Sequence, residues 1–226
     1  MLERPNFYRA IHKTLRRSLA LFLADLGAVN PEDRSAIAAT CRRWEDLQGM
    51  MEAHAHHEDS HIGAALGEAA PALFRRIEAE HEAHHAGLAT VSRAFVELEA
   101  GSAAARPTLL QEAYLATAAF MASDFAHMQL EEQVIMPALQ ATFTDGELAA
   151  LHGRIVGALS PEERAHTFRL MFPAIHEPER LELLQALRAK LPAEAFEGIR
   201  ALVASVLPGP AWESLSHRLE LAPVVA

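Results

Sequence analysis

The chain has almost nothing with which to cross-link itself. Its single cysteine, Cys41, excludes an internal disulfide and any all-cysteine zinc or iron–sulfur site. Aromatic residues make up only 6%, and no run of β-branched residues stands out, so strands have little to be built from. No apolar stretch reaches the roughly 18 residues of a membrane span. Positive charge is also scarce. Lys and Arg number 20 against 30 Asp and Glu, a net charge of −10 with a pI near 5.7. That balance argues against nucleic acid or an anionic membrane as a partner. The opening residues, Met1-Leu2-Glu3-Arg4-Pro5, do not read as a signal peptide, and a cytoplasmic protein is expected.

What is abundant favours helix. Half of the 226 residues are hydrophobic, and mean hydropathy is +0.03. A sizeable core follows, and disorder is excluded. Ala, Leu, Glu and Arg, all good helix formers, crowd every segment. Apolar residues recur at helical spacing along four long stretches. The first, about Asn6 to Leu26, carries Phe7, Ile11, Leu15, Leu19, Phe22 and Leu26, with Gly27 as its stop. The second runs from Pro31-Glu32-Asp33 to about Leu66 through Ile37, Cys41, Trp44, Leu47 and Met51, and Gly67 and Pro71 punctuate its end. The third, about Ala72 to Glu99, carries Leu73, Ile77, Leu88, Val91, Phe95 and Leu98. The fourth, about Thr108 to Thr142, carries Leu110, Tyr114, Thr117, Phe120, Met121, Ile135 and Leu139, and Pro137 predicts a kink or fraying inside it. Four long helices with three short connections predict an all-α fold, an up-down-up-down four-helix bundle over residues 1–143. Thr144-Asp145-Gly146-Glu147 then caps a fifth helix. Residues 144–226 read as an appended C-terminal helical region cut into shorter pieces by Pro161, Pro173, Pro178, Pro192, Pro208 and Pro210. Leu221 to Ala226 are expected to be loose.

The chain holds 13 histidines, and seven of them fall between His54 and His85. They interrupt the apolar stripes rather than the polar faces. The second stripe continues from Met51 to His54, Glu58 and His61. The third passes from Ile77 through His81 and His85 to Leu88. The fourth runs through Asp124, His127 and Glu131 to Ile135. His12 lies at the edge of the first stripe, one turn after Tyr8. Residues four apart share a helix face, so His54/Glu58, His81/His85 and His127/Glu131 are three pairs directed inward. Burying imidazoles and carboxylates without compensation costs on the order of several kcal/mol each. A bound cation removes that cost, and histidine is the commonest metal ligand. Depth agrees. In an antiparallel bundle all these residues meet at one level, roughly 15 Å from one end.

Helix two offers a choice among His54, His56, His57 and His61. The stretch His54 to Leu66 aligns without gaps to His127 to Leu139, matching His54 to His127, Glu58 to Glu131 and Asp59 to Glu132. This pseudo-repeat selects His54/Glu58. His57 paired with His61 is the competing register, and His61, still facing inward, is open to a role as a neighbour or an extra ligand. His56 is expected in solvent, and His84 beside the site. Four later histidines, His152, His166, His176 and His217, lack a partner four residues away and read as surface or ordinary core.

One histidine, His-x-x-x-Glu, His-x-x-x-His and His-x-x-x-Glu, one element per helix, resembles the hemerythrin-like (HHE cation-binding) family over about residues 6 to 142. The flanks Ile11-His12-Lys13, Glu80-His81-Glu82 and Met136-Pro137-Ala138-Leu139 fit as well. The resemblance implies five histidine ligands, His12, His54, His81, His85 and His127, and two bridging carboxylates, Glu58 and Glu131. It implies two iron ions with a bridging oxo or hydroxo group and one open position. Manganese and zinc are the lesser alternatives. Binding or sensing of O2, NO or peroxide is the function implied. A diiron enzyme of peroxidase, catalase-like or NO-reducing type, and an iron-storage or structural helical protein, are the competing readings.

Overall fold

The computed structural model describes residues 4–221. Leu221 to Ala226, expected to be loose, lie outside the described residues except for the backbone of Leu221. No strand occurs among those described. The chain forms two compact units, Met1–Ala158 and Leu159–Ala226.

The first unit opens with α1 (Tyr8–Leu26) and α2 (Arg34–Glu58). Asp33 caps α2 by accepting from the backbone N–H groups of Ser35 and Ala36 at 2.9 and 3.0 Å. A π-helical turn, π1 (Asp59–Gly63), joins α2 to the short α3 (Ala64–Ala69). Pro71 starts α4 (Pro71–Ala100), where its missing N–H would be unpaired anyway. A second helix–π–helix run follows: α5 (Arg106–Leu130), π2 (Glu131–Ile135) and α6 (Met136–Thr142). The break expected at Pro137 therefore takes the form of π2, which ends just before it and leaves the proline in the first turn of α6. Helix α1 packs against α2 and α5, and α4 packs against the same two.

Two apolar layers flank a polar band. Below His54, His81 and His127 in the sense of α4 running backwards, Tyr8, Ile62, Leu66, Ile77, Ile135, Met136 and Leu139 form one core. On the other side Phe22, Trp44, Phe95 and Phe120 interlock, with Trp44 and Phe95 stacked at 5.4 Å. Cys41 is buried in this second layer, its thiol directed at the Phe95 carbonyl.

The boundary at residue 143 moves. The fifth helix, α7 (Asp145–Ala158), is capped as expected: Thr144 and Glu147 exchange backbone–side-chain hydrogen bonds at 2.8 and 3.3 Å. But α7 packs within the first unit against α2, π1 and α6, because its buried Leu148 completes the core around Ile62 and Leu66.

The second unit contains α8 (Pro161–Ala174), α9 (Glu177–Lys190), α10 (Ala193–Val206) and α11 (Gly209–Leu221). Its prolines punctuate a regular period. The caps Ser160, His176 and Pro192 stand sixteen residues apart, as do the extended residues Ile175, Leu191 and Leu207 that end each helix. Helix α8 packs on α10 and α9 on α11, around Phe168, Phe172, Leu184, Phe196, Val203 and Leu215.

Candidate metal centre

Six of the seven singled-out residues converge. His12 comes from α1, His54 and Glu58 from the last turns of α2, His81 from α4, His127 from the end of α5 and Glu131 from the start of π2. Five of the six are at most 6% exposed, and the sixth, His54, is half-buried. They form two groups of four, each with ligand atoms within 4.8 Å of one another: His12, His54, Glu58 and Glu131, then Glu58, His81, His127 and Glu131. Glu58 faces both groups, with Oε1 3.1 Å from Nε2 of His54 and Oε2 3.5 Å from Nε2 of His81. Glu131 does the same. Its Oε2 lies 3.3 Å from His12 and 3.6 Å from His127, and its Oε1 lies 3.9 Å from His81.

The donors fit a cation. Nε2 of His12, His54 and His81, both oxygens of Glu58 and Oε2 of Glu131 are sealed from water and have no hydrogen-bond partner. Each such orphan costs about 1–3 kcal/mol. Metal coordination satisfies them together, and imidazole mixed with carboxylate suits first-row transition metals.

Charges in the protein alone show the strain of so many ionisable groups at one point. Burial pushes the His12 imidazole down, but the Glu131 and Glu132 carboxylates beside it outweigh burial and raise it to about 9. His81 is likewise penalised by burial and raised to about 11 by Glu131, Glu58 and Asp59. At His54, burial followed by the charge of His12 outweighs the opposing charge of Glu131 and lowers it to about 3. Burial and then the charge of Glu131 raise Glu58 above the usual carboxylate range. Burial opposes ionisation of Glu131 too, yet His12 and His81 hold it below that range. Tyr8, its ring 5.0 Å from that of His12, is pushed well up by burial and then by the Glu131 and Glu58 charges.

A profile of the Hemerythrin HHE cation binding domain matches residues 5–139. The chain belongs to that family. No curated protein and no solved structure matches the chain. The hemerythrin HHE match covers α1 through all but the last residues of α6, the helices that supply every residue of the two groups.

Around the domain's inner residues lies a set of anchors that sequence reasoning passed over. His12 Nδ1 bonds Glu132 at 2.9 Å, and Arg16 holds the same Glu132 oxygen at 2.6 Å. His81 Nδ1 bonds Asp59 at 2.6 Å. The match of Asp59 to Glu132 in the pseudo-repeat was the available signal.

His85 is a correction. The expected His81/His85 pair does not face inward: His85 is exposed, and His84 is buried instead. The buried stripe of α4 runs Ile77, His81, His84, Leu88, Val91, Phe95 and Leu98, alternating steps of four and three. Read backwards from Leu98, that rhythm selects His84. A step of four after His81 breaks it. His84 Nδ1 lies 3.0 Å from Oδ1 of buried Asp124, and its ring is 6.1 Å from that of His127. His84 joins neither group of four. His56 is exposed as expected, and His57 and His61 stack on each other outside both groups.

Proposed function

We propose that the chain is a non-haem diiron protein that binds or senses O2, or else NO or peroxide, inside an up-down-up-down four-helix bundle of α1, α2, α4 and α5. The observation that carries this reading is that Glu58 and Glu131 each belong to both groups of four. His12 and His54 would hold one ion, His81 and His127 the other, and the two carboxylates both. The ions would supply redox equivalents and an open position for a small ligand. The six residues offer four nitrogens and four oxygens, one donor fewer than the nine expected when His85 was counted.

The chain's own residues set the conditions. Glu132 and Asp59 accept from Nδ1 of His12 and His81, which leaves each Nε2 lone pair directed at the centre. Met51, Leu88 and Ile135, each at most 1% exposed, keep bulk water from the band. A dry pocket favours a small neutral ligand over a charged one.

A second reading, a diiron enzyme that consumes peroxide or reduces NO, is favoured by the His84–Asp124 pair. It places an imidazole and a carboxylate 3.0 Å apart in the buried interior, one turn from both His81 and His127.

The deciding experiment has two stages. Elemental analysis of iron-replete protein should give close to two irons per chain, and one zinc with no iron overturns the reading. Stopped-flow mixing of the reduced protein with O2, NO and peroxide then separates the two functions. A spectral change that reverses on degassing supports binding, whereas multiple turnover supports the enzyme.

A further inference from the structure

Helix α2 and its π1 turn carry four histidines, and the centre takes only His54. His57 and His61 stand one turn apart on an adjoining face, both half-buried, their rings 6.2 Å apart and within 14° of parallel. His56 is exposed, its ring 5.8 Å from that of His57 but tilted by 55°. Two histidines four apart on a helix are a recurrent chelate, because both imidazoles reach one point beside the helix. A metal–nitrogen bond of about 2.0–2.1 Å places each ring centre roughly 3 Å from the ion, so two rings on one ion stand at most about 6.4 Å apart. The observed separation of 6.2 Å falls just inside that limit, and tetrahedral coordination would draw the ring centres to about 5 Å.

We propose that His57 and His61 form a second, mononuclear site for a divalent transition-metal ion, with water completing its coordination. Two imidazole ligands select borderline cations, with Cu2+ above Zn2+ and both above Fe2+. Glu58, between the pair in sequence, faces the other way into the centre, and Asp59 is engaged with His81. The two sites thus share a stretch of helix but no ligand. The half-buried site exchanges its ion readily, whereas the buried centre does not.

The test is a Zn2+ titration of the full-length, iron-loaded protein by equilibrium dialysis, with iron content measured before and after. One zinc per chain should bind beyond the metal already present. His57→Ala and His61→Ala should each weaken that binding at least tenfold with iron content unchanged, and His56→Ala should alter it less than twofold. His57→Gln and His61→Gln repeat the test with side-chain volume kept, should either alanine variant misfold. With Cu2+ as probe, the EPR signal should show two coupled nitrogens, falling to one in either variant. Absence of the extra zinc, equal loss in the His56→Ala variant, or unchanged binding in both chelate variants overturns the proposal. Should the buried centre hold no iron, the isotherm still resolves two classes of site, and only the class sensitive to His57 and His61 bears on this inference.

Discussion

Asp59 lies 2.6 Å from Nδ1 of His81, and it does for His81 what Glu132 does for His12 at 2.9 Å. Each acid directly follows a carboxylate of the centre in sequence, Glu58 or Glu131, and each reaches across to a histidine on another helix. A contact of this kind orients the ring and raises its basicity.

Asp59→Ala and Glu132→Ala should therefore each weaken iron binding by about 10–100-fold without emptying the centre. Competition against a chelator measures this. Asp59→Asn, which keeps an acceptor oxygen, should recover part of the loss. An unchanged affinity in both alanine variants would mean that the rings are held by packing alone.

His84 and His85 should differ sharply. His85→Ala removes an exposed side chain and should change stability by no more than about 0.5 kcal/mol, with iron content intact. His84→Ala leaves Asp124 buried without its imidazole, a loss of about 1–3 kcal/mol in urea unfolding. The reverse pattern would restore the expected His81/His85 pair.

Metal uptake at pH 7 should release protons. In the metal-free protein His12, at about 9, and His81, at about 11, are protonated at neutral pH. A cation must displace one proton from each, and raised Glu58 adds up to one more. His54, at about 3, is already deprotonated and contributes none. Affinity should rise with pH until these groups have titrated. Calorimetry in buffers of different ionisation enthalpy counts the protons, and a count near zero would contradict the charges derived for the site.

His54→Ala or Glu58→Ala should strip iron strongly, because each removes a residue of the groups of four. His57→Ala and His61→Ala should leave both irons in place. If His57 and His61 govern iron content and His54 does not, the competing register is the true one.

A chain ending at Ala158 should keep the packing of the first unit. One ending at Phe143 loses Leu148 and Leu151, about 1.5–3 kcal/mol of burial for each. Circular dichroism melts of the two truncated forms should differ accordingly, with the shorter less stable.

The helices of the first unit were legible in the sequence to within a few residues, since caps, prolines and apolar steps all agree there. The convergence of His12, His54, Glu58, His81, His127 and Glu131 was legible for the same reason: each sits on an apolar stripe. His85 was misread because His-His neighbours offer two phases, and the four-residue step favoured by pair logic ran against the seven-residue rhythm of the buried stripe. The placement of α7 was not legible, because amphipathic spacing shows that a helix has a buried face but not which core receives it. The sixteen-residue period of the second unit was in plain view as caps and prolines, but was read as interruption rather than repetition.

The π form of the two turns was not legible, since no residue type demands it, and Pro137 marked only that a break lies near π2. Each begins within one residue of a carboxylate that faces both groups of four, Glu58 or Glu131. A π turn holds one residue more than the α-helical turn it replaces. That surplus lets the helix before it aim its ligands while the helix after it keeps its own apolar face inward. Winding either stretch as a regular α-helix, with the surplus residue kept, would swing everything beyond by about 100°. Ile62 and Leu66, or Ile135 and Leu139, would then leave the core that lies beneath the centre. The wide turns thus act as phase shifters, and they are why one helix can serve both a metal and a hydrophobic layer.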